Sequence, residues 1–214
     1  MKRCNRSAFT LVELLVTIAV VALLAALTAS LIPQVRLSAR KAASLSNLRQ
    51  LGAGLIGFAS ENENRLPGRV TSSDKWPRIL LPYVGGEPKV YAEVEDPHNY
   101  IKRGRDPLAN NRNNTSYILN GFNDVGAFED ETVTVSLLSV QKLSETILMA
   151  AQSGTGNFYM DFLEGNNRSV LNLSLLGNGA NYLFADGSAQ FLTAATYDDR
   201  LWLVDKTRDI PQTP

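Results

Sequence analysis

The chain has 214 residues, 21 basic against 21 acidic side chains, one histidine and one cysteine. That length holds one ordinary domain and some extra, and 44% hydrophobic residues are enough for a packed core. Cys4 and His98, each alone, exclude an internal disulfide framework and a zinc site of several cysteines or imidazoles, and zero net charge gives no general attraction to nucleic acid.

The charges are unevenly distributed. Residues 1–8 carry Lys2, Arg3 and Arg6 with no acid, and residues 34–63 carry Arg36, Arg40, Lys41 and Arg49 against Glu61 and Glu63. From residue 64 onward 14 basic side chains face 18 acidic ones. A mildly acidic portion therefore follows two basic collars. Between the collars runs Leu14 to Ile32, interrupted only by Thr17, Thr28 and Ser30. As a helix it spans roughly 28 Å, close to the hydrocarbon thickness of a bilayer. A cleaved secretory signal needs a shorter apolar core and an Ala-x-Ala-like site, and Ala19, Ala22, Ala25, Ala26 and Ala29 never fall two apart. A membrane-spanning helix is the expectation. Basic residues at both ends leave its direction unset. Ala22 with Ala26, and Ala25 with Ala29, either let another helix approach closely or are ordinary filler.

Glu13 is a carboxylate inside the run Phe9-Thr10-Leu11-Val12-Glu13-Leu14-Leu15-Val16. Charged groups near the centre of a span cost roughly 2.5–3.5 kcal/mol on insertion scales. Two readings stay open. Glu13 lies at the headgroup edge, favoured by the positive end of the helix dipole, or it meets a cation inside an assembly.

The basic leader Lys2-Arg3-Cys4-Asn5-Arg6-Ser7-Ala8, followed by Phe9-Thr10-Leu11-Val12-Glu13-Leu14-Leu15-Val16, resembles the N-terminus of type IV pilins and type II secretion pseudopilins. The resemblance implies a structural subunit of a pilin-like filament rather than an enzyme. It implies cleavage by prepilin peptidase between Ala8 and Phe9, methylation of the new amine on Phe9, and a role for Glu13 in assembly. Ala8 departs from the family, which usually has Gly there. The implied partners are the peptidase, other pilin-like subunits and the inner-membrane secretion or pilus machinery. The cut precedes the apolar helix, so the mature chain keeps its anchor in the bacterial inner membrane, with its C-terminal part extracytoplasmic. No cysteine follows Phe9, so the C-terminal disulfide loop of many major pilins is absent and the likeness leans to a pseudopilin.

After Pro33, which kinks the helix or marks its exit from the membrane, Leu37, Ser44, Leu48, Leu51, Leu55 and Phe58 recur at mostly three- and four-residue steps. Polar residues fall largely between them, which predicts an amphipathic helix ending near Asn62-Glu63-Asn64-Arg65-Leu66-Pro67-Gly68. Gly52, Gly54 and Gly57 weaken it by up to about 1 kcal/mol each, so packing must compensate. The segment from Ser38 to Gly68 resembles a pseudopilin-like group of Planctomycetes and Verrucomicrobia. Those proteins often end with a His ten residues before an Asp-Gly pair. Here Asp186-Gly187 fits that ending, while Leu176 stands where the histidine would be, so no role of that histidine carries over.

Beyond the helix, a short helix is expected over 74–84, despite Pro77 in its first turn. Strands are expected over 117–119, 146–151 and 157–162. The runs 182–185 and 188–192 flank Asp186-Gly187, a strong hairpin signal, here read as a type I′ turn. Strands that follow a long helix without βαβ alternation predict an α+β fold, with that helix packed on a small antiparallel sheet. The expected division is a leader at 1–8, a transmembrane helix at 9–33, its amphipathic continuation at 34–63 and a globular domain at 64–214.

Catalytic constellations are sparse, and no nucleophile–base pair is evident. Glu129-Asp130-Glu131 near Asp124 offers oxygens for Ca²⁺ or forms a solvated turn, and Asp198-Asp199 has the same two readings. His98 and the Asn110–Asn114 stretch are read as surface loops. A membrane-tethered monomeric binding domain is the alternative to the filament subunit.

Overall fold

The computed structural model describes residues 10–69, 75–93, 106, 108, 114–127, 133–154, 156–161, 168–208 and 210. The chain divides into two compact units, residues 1–39 and 40–214. Helix α1, Leu11–Glu61, runs through both and continues across Pro33 without interruption.

In the first unit α1 has no apolar partner among the described residues. Its large side chains from Leu11 to Ile32 are 49–78% exposed. A helix hydrophobic all round needs an apolar surround, and the segment is long and apolar enough to cross a bilayer. The two threonine hydroxyls within it are already satisfied. Thr17 Oγ1 donates to the Leu14 carbonyl at 2.8 Å and Thr28 Oγ1 to the Leu24 carbonyl at 3.0 Å. Such back-bonding leaves few free polar groups for a non-aqueous setting to penalise.

In the second unit α1 becomes one-sided. Leu48, Leu51 and Leu55 are completely buried, and Ser44 and Ala59 nearly so. Burying one leucine is worth about 2 kcal/mol, so three of them outweigh the helix-weakening glycines. Those glycines also have a use. A Cβ on Gly52 would stand 2.7 Å from Leu183 Cδ1, and one on Gly54 2.8 Å from Val84 Cγ1. Their missing side chains set how closely the helix approaches its neighbours. The helix stops where Glu63 and Asn64 turn to positive φ, 55° and 59°, and the Asn64 amide bonds back to the Ala59 carbonyl at 2.8 Å.

Helix α2, Trp76–Leu80, has Pro77 in its first turn and passes into a 3₁₀ turn at Leu81–Val84, matching the expected short helix. Five strands follow: β1 (Tyr117–Asn120), β2 (Ile147–Ala151), β3 (Tyr159–Met160), β4 (Gly179–Phe184) and β5 (Ala189–Thr193). They form one sheet in the order β3-β1-β2-β4-β5. The α+β layout is the expected one. The sheet, however, is mixed rather than wholly antiparallel, because β1 and β3 pair in parallel with Leu119 opposite Tyr159. The chain reverses after β2 but passes beyond β1 before pairing, and skipping one strand turns an antiparallel neighbour into a parallel one.

Both faces of the sheet are covered. Leu48, Leu51, Leu55, Trp76, Tyr117 and Leu183 belong to one core, and Ile118, Ile147, Tyr182, Phe184, Tyr197 and Trp202 to the other. Neighbours such as Leu183 and Tyr182 point to opposite faces, as pleating requires. Burial on both faces explains why β1, β2 and β4 are buried at every position and read as near-continuous apolar runs. Residues 48–55 supply part of this core, and the compact unit that holds it begins at Arg40.

The β4–β5 connection differs from the expected type I′ turn. Leu183 pairs with Ala189, the Gly187 amide bonds to the Phe184 carbonyl at 3.0 Å, and the Phe184 amide bonds to the Ser188 carbonyl at 2.8 Å. Of the Asp-Gly pair only Gly187 has positive φ, at 82°. The loop is thus three residues long, Ala185-Asp186-Gly187, with glycine in the left-handed position. Asp186 closes it from the side by accepting the Ser188 amide at 2.8 Å.

Buried carboxylates tie loops to the sheet. Asp124 accepts the amides of Val204 and Asp205 at 2.6 and 2.7 Å. Asp161 pairs with Arg69 at 2.9 Å.

Two outcomes follow from this packing. Gly187→Val places a β-branched residue at positive φ, with its Cβ 2.8 Å from Ile56 Cδ1. It should cost more than about 1 kcal/mol and lower the melting midpoint by about 2–4 °C or more, and an unchanged midpoint would contradict the turn. Burial raises the Asp124 carboxyl above its ordinary value, despite the backbone amides and the Arg208 charge that oppose the shift. The folded chain then holds a proton that the unfolded chain has released, so this site's contribution falls as pH rises through the raised value. Asp124→Asn keeps an acceptor for both amides and should flatten that slope. Urea midpoints taken between about pH 4 and 7 test this, and an unaltered slope would contradict it.

Candidate functional site

The apolar helix begins with a reciprocal cap. Thr10 is the last residue before Leu11, and its Oγ1 accepts the Glu13 amide at 3.2 Å. Glu13 Oε2 reaches back and accepts the Thr10 amide at 2.9 Å and the Thr10 hydroxyl at 2.8 Å. The Leu14 amide bonds to the Thr10 carbonyl at 3.2 Å, closing the first turn. This is a capping box, in which two amides with no partner inside the helix are satisfied by each other's residues. The sequence signal is Thr-x-x-Glu before an apolar run. It identifies Thr10 as the partner of Glu13 at the helix start.

The cap changes the balance at Glu13. Its carboxylate sits where the helix dipole favours negative charge and accepts two hydrogen bonds from Thr10. Both bonds go to one oxygen, so Oε1 is left without a hydrogen bond among the described residues. Ala8 and Phe9, the expected cleavage and methylation residues, lie outside the described residues.

Other candidate positions resolve into structural roles or fall outside the described residues. Asp186 and Gly187 form the β4–β5 loop, far along the chain from Glu13. Asp198 accepts the Arg200 amide at 2.9 Å and starts a 3₁₀ turn. Asp124 is committed to the amides of Val204 and Asp205. Glu129-Asp130-Glu131, His98 and Asn110 to Asn113 lie outside the described residues. Among the described residues no three His, Cys, Asp or Glu side chains come together as a metal cluster. Leu176, in the position of the related group's histidine, is buried, and its amide bonds to the Gly179 carbonyl at 3.0 Å where β4 begins. It serves as a packing residue there.

One polar centre has no counterpart in the sequence reading. Glu93 is buried, with the hydroxyls of Ser44 on α1 and Tyr117 on β1 both donating to its Oε1, the latter at 2.8 Å. Asn47 Nδ2 adds a bond to the Ala92 carbonyl at 3.2 Å. Burial, together with the adjacent Glu93 charge, holds the Tyr117 hydroxyl well above its ordinary value, so it stays a donor. The set joins helix to sheet through groups 49 residues apart in sequence. No hydrophobic period reveals such a partnership.

Comparison with curated proteins found no match, nor did comparison with solved structures. A family model does match: residues 3–29 fit the prokaryotic N-terminal methylation motif. The match covers most of the basic N-terminal stretch, the capping box and most of the exposed apolar helix. It supports a type IV pilin-like family, anchorage in a membrane through that helix, and a structural subunit rather than an enzyme.

Proposed function

We propose that this chain is a pseudopilin-type subunit of a type II secretion or type IV pilus-like filament. Prepilin peptidase removes residues 1–8 at the Ala8–Phe9 bond, where a small side chain is required, and the new Phe9 amine is methylated. Residues 9–33 hold the mature chain in the inner membrane, and the sheet domain lies on the extracytoplasmic side. Inner-membrane machinery then moves subunits into the filament, with Glu13 meeting the Phe9 amine of its own chain or of the next one.

The observation that carries this reading is the methylation-motif match over residues 3–29 of a chain whose apolar helix is exposed along its described residues. Leu14, Leu15, Ile18 and Val21 are each more than half exposed, an unfavourable state in water. Lipid can cover them before assembly, and neighbouring helices can cover them afterwards. An ammonium–carboxylate pair in that low-dielectric setting is strong enough to set the stagger between helices, although desolvation takes back much of the gain.

One observation favours the tethered monomer. The capping box gives Glu13 a use within its own helix, so its presence does not require a partner.

Two substitutions separate these readings. Glutamine at N3 still completes a capping box, whereas leucine does not. The filament reading predicts that Glu13→Gln and Glu13→Leu both mature yet give little filament, measured as cross-linked oligomer beside a blot for the cleaved form. If Glu13→Gln assembles normally and only Glu13→Leu fails, the carboxylate is no more than a helix cap. Normal filaments from both would favour the monomeric tether.

A further inference from the structure

We propose that the sheet edge at β5 docks an extended peptide segment of a partner protein, added as a further strand with a carboxylate beside Lys41. This goes beyond the filament reading and does not rest on it, since every residue involved lies in the sheet-bearing unit. The strand order β3-β1-β2-β4-β5 leaves β3 and β5 at the edges. The β3 edge, Tyr159–Met160, is short and runs directly into Asp161, which Arg69 pairs at 2.9 Å. β5 is longer and keeps an unbroken register with β4 from Ala189 to Thr193. Its sequence Ala-Gln-Phe-Leu-Thr holds no charge and no proline. Charges, prolines and bulges are the usual guards of an exposed edge, and β5 has none of them.

The ladder fixes which backbone groups face outward. At one end the Phe184 amide bonds to the Ser188 carbonyl at 2.8 Å, and at the other the Ala194 amide bonds to the Asn178 carbonyl at 2.9 Å. Bonded and non-bonded pairs alternate in an antiparallel ladder, so Gln190 and Leu192 turn their backbone groups to β4, and Ala189 and Phe191 turn theirs outward. Among the described residues the amides and carbonyls of Ala189 and Phe191 have no hydrogen-bond partner. Another extended backbone matches them, because it repeats a donor and an acceptor every second residue, about 6.8 Å apart. Side chains narrow the choice of peptide. Ala189 lies in the core under α1, and Phe191 shares its face, with Lys41 Nζ 3.7 Å from the centre of the Phe191 ring. The Lys41 carbonyl is tied to Asn181 Nδ2 at 3.0 Å, while among the described residues its ammonium has no carboxylate partner. A strand on this edge passes beside that ammonium, so a carboxylate opposite Phe191 gains an ion pair. On the other face Leu192 packs on the second core and favours an apolar neighbour. A second copy pairing through its own β5 would bring no carboxylate, since that strand is uncharged.

The test uses the full chain in detergent micelles and a synthetic peptide with valine on one face and threonine around a central glutamate on the other. Amide hydrogen exchange, read residue by residue, should slow about fivefold or more at Ala189 and Phe191 when the peptide is added. Gln190 and Leu192, already bonded to β4, should change little. Two further peptides carry N-methyl groups on alternate residues, in complementary sets. The set that faces β5 should bind about fivefold more weakly for each hydrogen bond lost, and the other set should bind as before. Lys41→Glu should weaken the glutamate peptide about threefold and shift preference to a peptide with lysine at the centre. No slowing at Ala189 and Phe191, or equal loss from both methylated sets, overturns the proposal. So does an unchanged preference in Lys41→Glu. Exchange at Ala189 and Phe191 that is slow without peptide and quickens on dilution would mean that a second copy covers the edge, and would also overturn it. None of these readouts requires filaments, so the filament reading stands or falls separately.

Discussion

A single helix has to satisfy two solvents, and the rest of the chain is arranged around that requirement. An α-helix closes its own backbone hydrogen bonds, so α1 can keep an apolar surface bare over Leu11–Ile32 and still be a stable element in hydrocarbon. The one end it cannot close is its start, where the first amides have no carbonyl behind them. In water the solvent would serve them. At a membrane edge the protein must do so, and Thr10 with Glu13 does. The residue that looks most misplaced in the sequence, an acid in an apolar run, is therefore part of what lets the helix begin there. That role and a role in pairing with an amine are compatible, because the cap uses one carboxylate oxygen.

The second half of the same helix obeys the opposite rule. Past Arg40 it has a wet side and a dry side, and its dry side carries Leu48, Leu51 and Leu55 into the core. Gly52 and Gly54 face the points of closest approach, so poor helix formers serve here as spacers. Ser44 adds a directional element through the buried Glu93, which also receives the Tyr117 hydroxyl from β1. A partly satisfied buried acid would be costly, so this contact fixes where the helix sits as well as holding it. The sheet domain and the helix segment that covers it form one cooperative body.

Much of this was legible from residue patterns. The three- and four-residue steps of Leu48, Leu51 and Leu55 marked the buried stripe, and the runs at 147–151 and 182–184 marked strands because both sheet faces are covered. Other features depend on information that no local pattern holds. Asp186-Gly187 suits both a two-residue and a three-residue turn, and the choice depends on which residues pair across the strands. The parallel β1–β3 pairing depends on which side of β1 the chain passes after β2. Glu93 finds Ser44 only after the helix has docked. At the helix start the reverse holds: Thr10-Leu11-Val12-Glu13 displays a capping signature within four residues.

The central claim, that this is a processed and methylated filament subunit, depends on what stands at the N-terminus of the mature chain. The direct measurement is the mass of the N-terminal peptide from protein purified out of the membrane fraction of cells that carry prepilin peptidase. The account predicts a peptide beginning at Phe9 and heavier by one methyl group, about 14 Da. A chain that retains Met1 to Ala8, or one cut on the far side of the apolar helix, would contradict it.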